Sequence, residues 1–232
     1  MASAQPVLDV SKAVPVRGAD EPGMAPVSLQ LFPGELALIE INDPRRAARF
    51  ADLCCGLVRL AEGSVKFLGR DWTAMTHDYA AALRGRIGRV FAEGGWIEFV
   101  DIATNIFLPQ LHHTRRDGRD VREEAAKLAC RFGLPGLPIG NPRDLSTKDL
   151  ARAACIRAFL GEPALLVLES PLQGRFTDLI VPLVEILTSA RQNGAAAIWL
   201  TNSELVWRDR SIPVTHRLRL REYGLMPGRR AA

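Results

Sequence analysis

The stretch that most constrains this chain is Leu36–Leu57, LALIEINDPRRAARFADLCCGL. It follows a turn signal, Pro33-Gly34-Glu35, and reads as a buried strand, Leu36–Ile41, a tight turn, and a helix running to about Cys55. The rest of the chain repeats that alternation. Upstream, Val7–Lys12 and Pro26–Leu31 read as strands. Downstream, Ser64–Leu68 with Gly69-Arg70-Asp71 closes a hairpin, a short helix covers about Asp78–Leu83, and Ile87–Phe91 is a strand. Beyond Pro163 come a strand at Ala164–Leu168, a helix at about Phe176–Gln192, a strand at Ala195–Leu200, and a terminal hairpin around Tyr223-Gly224. Strands alternating with helices specify an α/β fold with a mostly parallel core sheet.

Between Glu93 and Leu145 the pattern changes to helices and polar loops. Asp101–Leu108 is expected as a short helix ending before Pro109. Asp120 and Glu123 are placed to cap a helix through Arg131, which Gly133 and Pro135 stop. Ser146-x-x-Asp149 has the form of a capping box and opens a helix over Thr147–Leu160. The division expected from this is a core built from residues 1–92 and 146–232, with 93–145 as an inserted helical subdomain.

Composition narrows the class further. At 232 residues the chain can bury a real core, and its 47% hydrophobic and 24% charged content is that of a globular protein. No run approaches the roughly 18 apolar residues of a membrane span, and Met1–Val10 lacks the apolar core of a signal peptide. Cys54, Cys55, Cys130 and Cys155 have no C-x-x-C spacing, mostly stand in apolar contexts, and read as buried reduced thiols. The net charge of +4 is carried mainly by arginine and could suit anionic lipid headgroups or nucleic acid, the plainer reading being an arginine-biased proteome.

The turn after Leu36–Ile41 is where a phosphate-binding P-loop would lie. Such a loop, GxxxxGK[ST], uses glycines to bring backbone N–H groups around phosphate, a lysine for the outer phosphate oxygens, and a hydroxyl for Mg²⁺. Aligned without gaps, its positions fall on Ile41, Asn42, Asp43, Pro44, Arg45, Arg46, Ala47, Ala48 and Arg49. The glycine positions become Ile41, Pro44 and Arg46, the lysine becomes Ala47, and the hydroxyl pair becomes Ala48 and Arg49. Pro44 also removes a backbone donor.

Order and spacing over nearly the whole chain resemble an ATP-binding cassette (ABC) ATPase domain. The residues that carry the resemblance are Pro33-Gly34-Glu35, Cys55-Gly56-Leu57, Glu62-Gly63-Ser64-Val65 and Arg86-Ile87-Gly88-Arg89-Val90-Phe91. Further on, Asn105–Pro109 resembles the helix after the Q-loop, and Leu145-Ser146 with Arg152 and Ile156-Arg157-Ala158 resembles the signature helix. Pro163–Pro171 is similar to the Walker B strand, and Leu200-Thr201-Asn202 to the switch. Asn105–Thr114, Arg152-Ala153-Ala154 and Pro171-Leu172-Gln173-Gly174 are similar to the ATPase subunits of mammalian-cell-entry (MCE) type lipid transporters. The resemblance implies a P-loop NTPase-like core with an antiparallel β subdomain and the inserted helical subdomain.

Carried over residue by residue, the same resemblance implies that catalytic groups are missing. The Q-loop glutamine falls on Ala92, the signature glycines on Thr147 and Lys148, the D-loop aspartate on Phe176 and the switch histidine on Asn202. The Walker B aspartate is Glu169, and the residue after it, expected to polarise water, is Ser170. The expectation is therefore a chain with no catalytic residue, a pseudo-ATPase. No cofactor of its own is expected, with ATP and Mg²⁺ only on a partner subunit, and no metal.

As implied partners it has a membrane permease, a second cassette subunit or a second copy of itself, and an MCE-type lipid-binding protein, with no nucleic acid. Its place would be peripheral, on the cytoplasmic face of the inner membrane. Two alternatives stay open: a divergent, active ATPase using Arg46 or Arg49 with Glu169, and a soluble regulatory or polyanion-binding module.

Several residues admit two readings. Arg45, Arg46 and Arg49 could bind an anion at a helix N-terminus, or fill the vacated loop and pair with Asp43 and Asp52. Ser146 and Lys148 could contact a partner's nucleotide, although Ser146 also serves as a helix N-cap. Trp96 and Phe99 lie where a permease would dock, and could equally be subdomain core. His112-His113 could suggest a metal but has no acidic or cysteine partner nearby in sequence.

Overall fold

The computed structural model describes residues 5–18, 21–172 and 177–228. Two sheets carry the chain. The first is antiparallel, in the order β2-β1-β4-β5, from β1 (Leu8–Pro15), β2 (Val27–Leu31), β4 (Leu60–Phe67) and β5 (Arg70–Asp71).

The second sheet has six strands: β3 (Leu36–Glu40), β6 (Ile87–Val90), β7 (Leu165–Glu169), β8 (Ala196–Thr201), β9 (His216–Arg221) and β10 (Gly224–Pro227). Their order is β10-β9-β3-β8-β7-β6, and all neighbouring pairs except β9–β10 are parallel.

The leading stretch sits at the middle of this sheet, with β3 hydrogen-bonded to β8 on one side and β9 on the other. Successive β3 residues point to opposite faces. Leu36 and Leu38 enter one apolar cluster, and Ala37 and Ile39 enter the other. Both faces are covered, as parallel sheets require.

One face packs on α3 (Ile102–His113), α4 (Gly118–Arg131), α5 (Thr147–Phe159) and α6 (Thr177–Gln192). The other packs on α1 (Pro44–Cys54), α2 (His77–Arg84) and the antiparallel sheet. The α/β fold expectation is borne out. Among the described residues no helix is long and apolar enough to cross a membrane.

Several local expectations are corrected. The helix expected to stop before Pro109 continues through it to His113. Proline there forfeits one ladder bond, but Ile102, Ile106, Phe107 and Gln110 are buried, and the Gln110 amide donates to the Leu160 carbonyl at 3.1 Å. Packing outweighs the lost bond. Helix α4 is capped by Asp117, which accepts from Arg119 N at 2.7 Å, and Asp120 lies inside its first turn. Strand β4 starts at Leu60, well before Ser64, because it pairs along β1 as far as Pro15. A short helix α7 (Glu204–Arg208), capped by Ser203, was not expected. Phe176, the expected start of α6, and Gln173-Gly174 lie outside the described residues. Cys54, Cys55 and Cys155 are buried as expected, but Cys130 is exposed, on the outer face of α4.

Strand β6 approaches α5 closely at Gly88, where a Cβ would stand 1.8 Å from the Ala158 carbonyl oxygen. That oxygen is backbone, so the strand itself would have to shift. Gly88→Ala is expected to lower stability by about 2–3 kcal/mol, read as a lower urea midpoint with an unchanged slope.

Candidate functional site

The site forms where β3, β6 and β7 end and α1 begins. Ile41 is buried, its N–H donating to Thr201 O at 2.9 Å, so the chain leaves the sheet in line with β8. Asn42 is exposed. Asp43 caps α1, its carboxylate accepting from Arg45 N at 3.0 Å and Arg46 N at 3.3 Å, and Pro44 opens the helix. The first amides of the helix, which would otherwise face an anion, are thus claimed by a carboxylate of the chain itself.

The three arginines separate. Arg45 is exposed at the rim of an open cavity of about 610 Å³, lined also by Met24, Asp43, Arg46 and Glu222. Arg46 lies 3.8 Å from Asp43 and 3.5 Å from Glu222, with its Nε buried and unpartnered. Arg49 turns inward, 6% exposed, and its guanidinium binds the Val16 carbonyl and the Glu21 carboxylate. Pairing with Asp43 is therefore found for Arg46, but Asp52 takes a different partner. Ala47 is buried beside these groups.

That partner of Asp52 is Arg89, on β6. Its Nη1 donates to Asp52 Oδ1 at 2.6 Å and its Nε to Glu169 Oε1 at 2.7 Å, while the guanidinium lies over the Phe91 ring at 4.4 Å. Glu169 is 2% exposed. Burial raises the Glu169 carboxyl above its ordinary range, and the bond to Arg89 opposes that rise. For Arg89 burial is the largest single influence and lowers the pKa, but Glu169, Cys55 and Asp52 together outweigh it and the pKa rises. The geometry is that of a buried ion pair with a second carboxylate attached. Burial also pushes the neighbouring Cys55 thiol up to about 12, so it is inert as a nucleophile.

Ser170, the residue after Glu169, has a left-handed backbone (φ 45°) and donates its N–H to Leu200 O at 2.9 Å. A non-glycine residue in that region is strained, and the strain sits at the strand end where site residues gather. Asn202 is exposed at the end of β8, with Thr201 beside it accepting from Ser203 N at 3.1 Å.

Past β6 the chain is clamped from the side. Arg157 on α5 lies over Trp96 at 4.2 Å and Phe91 at 5.5 Å, and donates to the carbonyls of Gly95 at 2.8 Å and Gly94 at 2.9 Å. Burial lowers its pKa to about 10, still well above neutrality, so it remains a cation. Ala92 stands within this bend. Trp96 is engaged by Arg157 and packs against the helical core, whereas Phe99 is 90% exposed.

At the start of α5, Ser146 caps the helix, its Oγ accepting from Asp149 N at 3.1 Å. Lys148 Nζ sits 2.7 Å from Asp178 Oδ2, an oxygen that also takes Arg152. Lys148, then Arg152, hold the Asp178 carboxyl below its usual range. His112 and His113 stack edge-on against each other. No group of three or more metal-ligating side chains occurs among the described residues.

The structure thus brings Glu169 together with Asp52 and Arg89, and places Arg46, Arg49 and Lys148 each against a carboxylate. Sequence reasoning missed Arg89, Arg157, Glu21 and Asp178. Arg89 left a signal, as a charge inside the strand pattern Ile87-Gly88-Arg89-Val90, where a buried partner is required.

No protein-family model matches the chain. Its sequence is 25% identical over 208 residues to a macrolide export ATP-binding/permease protein of Chlorobium luteolum, covering 88% of this chain and 31% of that protein. It is 27% identical over 190 residues to a lipoprotein-releasing system ATP-binding protein of Rhodopirellula baltica, covering 81% of this chain and 82% of that protein. It is 26% identical over 145 residues to a cell division ATP-binding protein of Escherichia coli, covering 62% of this chain and 65% of that protein. The chain therefore spans under a third of the first relative and about four fifths of the second.

A dimeric ATP-binding cassette bound to ADP and phosphate superposes at a TM-score of 0.80 with 16% identity, over 96% of this chain and 99% of that one. A second structure, the ATP-binding subunit of an ABC transporter, gives 0.79 with 17% identity, over 94% of this chain and 88% of that one. The fold is the ABC cassette.

These comparisons correct two expectations. The chain was expected to be a pseudo-ATPase without a cofactor of its own, yet its relatives are ATP-binding proteins of transport and cell division. Reading a motif position by position counts the ligands removed from it. The arginines brought in, which the alternative of a divergent ATPase uses, include Arg46, and it stands with Arg45 at the 610 Å³ cavity.

Removing the Arg157 clamp should loosen the bend without dissolving the sheet. Arg157→Met is expected to cost about 2 kcal/mol, from the lost charge-assisted hydrogen bonds and ring contacts. Amide exchange at Gly94–Phe99 should accelerate while that of β7 and β8 stays slow. Unchanged exchange in the bend would show that Arg157 does not hold it.

Proposed function

We propose that this chain, an ATP-binding-cassette domain of the ABC type by fold and sequence likeness, is the cassette subunit of a membrane transport complex. It sits peripherally, at the cytoplasmic face of the inner membrane beneath a permease, and pairs head-to-tail with a second cassette, another subunit or a second copy. The observation that carries this is the agreement of the whole fold with a dimeric ATP-binding cassette, at a TM-score of 0.80 over 96% of the chain, together with sequence likeness to relatives named for ATP binding in export, lipoprotein release and cell division.

Two surfaces serve the assembly. Phe99 offers a large, 90% exposed apolar side chain on the loop that Arg157 stiffens, and is the anchor proposed for the permease; Trp96, on the same loop, is held by Arg157. Ser146 and Lys148 open α5 and face the second cassette's nucleotide, where Lys148 supplies a positive charge in place of glycine contacts. To do so Lys148 leaves Asp178, a half-exposed pair that costs little to open.

The substrate class we propose is lipidic, as in MCE-type transport, with an MCE-type lipid-binding protein in the same complex. Asn105–Thr114, Arg152-Ala153-Ala154 and Pro171-Leu172 support this. The lipoprotein-releasing relative is compatible with it.

Co-purification from detergent-solubilised membranes tests the assembly: a permease and a cassette partner should come with the tagged chain, and a chain recovered alone rejects it. In the reconstituted pair Lys148→Ala is expected to lower ATP turnover about tenfold, the size of one charge-assisted contact. Unchanged turnover would remove Lys148 from the partner's site.

A further inference from the structure

Relatives of the chain are ATP-binding proteins, and a cassette of this kind uses the strand-end carboxylate at Glu169 toward the Mg²⁺ of its nucleotide. In this structure the donor set around Glu169 does not fit a divalent cation. A bound metal needs carboxylate, hydroxyl and water oxygens at short range with their charge uncommitted. Here Glu169 Oε1 is 2.7 Å from Arg89 Nε, and Asp52 Oδ1 is 2.6 Å from Arg89 Nη1. The hydroxyl expected at the head of the helix is Ala48, and Ala47 beside it is buried.

We infer that Arg89 is a resident cation that holds the metal position of this cassette, neutralising Glu169 and Asp52 and excluding a divalent ion from them. Three observations converge on this. A planar guanidinium reaches both carboxylates at once through separate nitrogens, the geometry for which arginine is suited. The two carboxylates come from different elements, α1 and β7, so that the cation between them does the bridging a metal would do. Arg89 is also fixed from its other side, over the Phe91 ring at 4.4 Å, and that ring is in turn covered by Arg157. Its guanidinium is thus held at its post and does not simply swing to solvent.

The inference deepens the cassette reading, since it concerns the same site, but it does not depend on any partner or on transport. Its probe is the metal alone. Free Mn²⁺ is titrated against the whole purified chain by electron paramagnetic resonance, first as wild type, then as Arg89→Met, then as Arg89→Met with Glu169→Leu. The expected result is a wild-type chain with no Mn²⁺ site tighter than millimolar. Arg89→Met should bind at least tenfold more tightly, and the double variant should lose the gain.

Equal affinity in wild type and Arg89→Met overturns the inference, as does a gain that survives in the double variant. Should Arg89→Met fail to fold, refolding is repeated in millimolar Mn²⁺. Recovery that requires the metal supports the exchange of one cation for another, and failure to recover overturns it. Because no permease or second cassette enters the titration, a chain that co-purifies with nothing leaves this result standing, and the reverse holds equally.

Discussion

The Arg89 guanidinium is the point on which the functional end of the molecule depends. It ties β6 to β7 through Glu169 and both strands to α1 through Asp52. A buried pair of this sort gives little net stability against an apolar replacement, but losing one partner leaves a buried charge at a cost of about 3–5 kcal/mol. The cost of breaking it fixes the spacing between sheet and first helix. The leading stretch of the sequence is therefore held at both ends, by strand pairing in β3 and by an ion pair near the end of α1.

From Arg89 the contacts run outward in sequence and in space. Its guanidinium covers Phe91, Phe91 is covered by Arg157, and Arg157 stacks on Trp96 and binds two loop carbonyls. Alternating cations and rings, each within about 6 Å of the next, are mutually stabilising when they are desolvated. The chain of contacts joins the strand-end carboxylate to the loop that presents Phe99. Lys148 and Arg152, sharing Asp178, do the corresponding work at the head of α5.

Much of the fold was legible in the sequence because it rests on period. Leu36–Ile41, Ala164–Leu168 and Ala195–Leu200 are apolar runs of strand length, and each is a central strand of the sheet. The N-cap at Ser146 was legible because it is local, although the Asp149 carboxylate accepts from the Ser146 hydroxyl at 2.8 Å and the expected capping box is formed only in its N-cap half. What was not legible was decided by distance in the chain. Pro109 ended a helix on paper, but Gln110 reaches Leu160, 50 residues away, and keeps it going. Asp52 was matched with its sequence neighbours, although its partner lies 37 residues on. The expectation of a chain without nucleotide had the same origin. It takes single positions one at a time, Ile41–Arg49 and then Ala92, Thr147, Lys148, Glu169, Ser170, Phe176 and Asn202, while the comparisons draw on the chain as a whole.

The clamp at Arg157 also has a mechanical meaning. A loop free to bend would absorb a displacement at Phe99 within its own backbone torsions. Here the bend is bolted to α5 by two hydrogen bonds and a ring contact, so its compliance is low. A load applied at Phe99 is passed to α5 as a whole, and with it to Ser146 and Lys148 at the helix head. The clamp and the helix head are ends of one rigid rod, about three helical turns apart, so a push at one end is felt at the other.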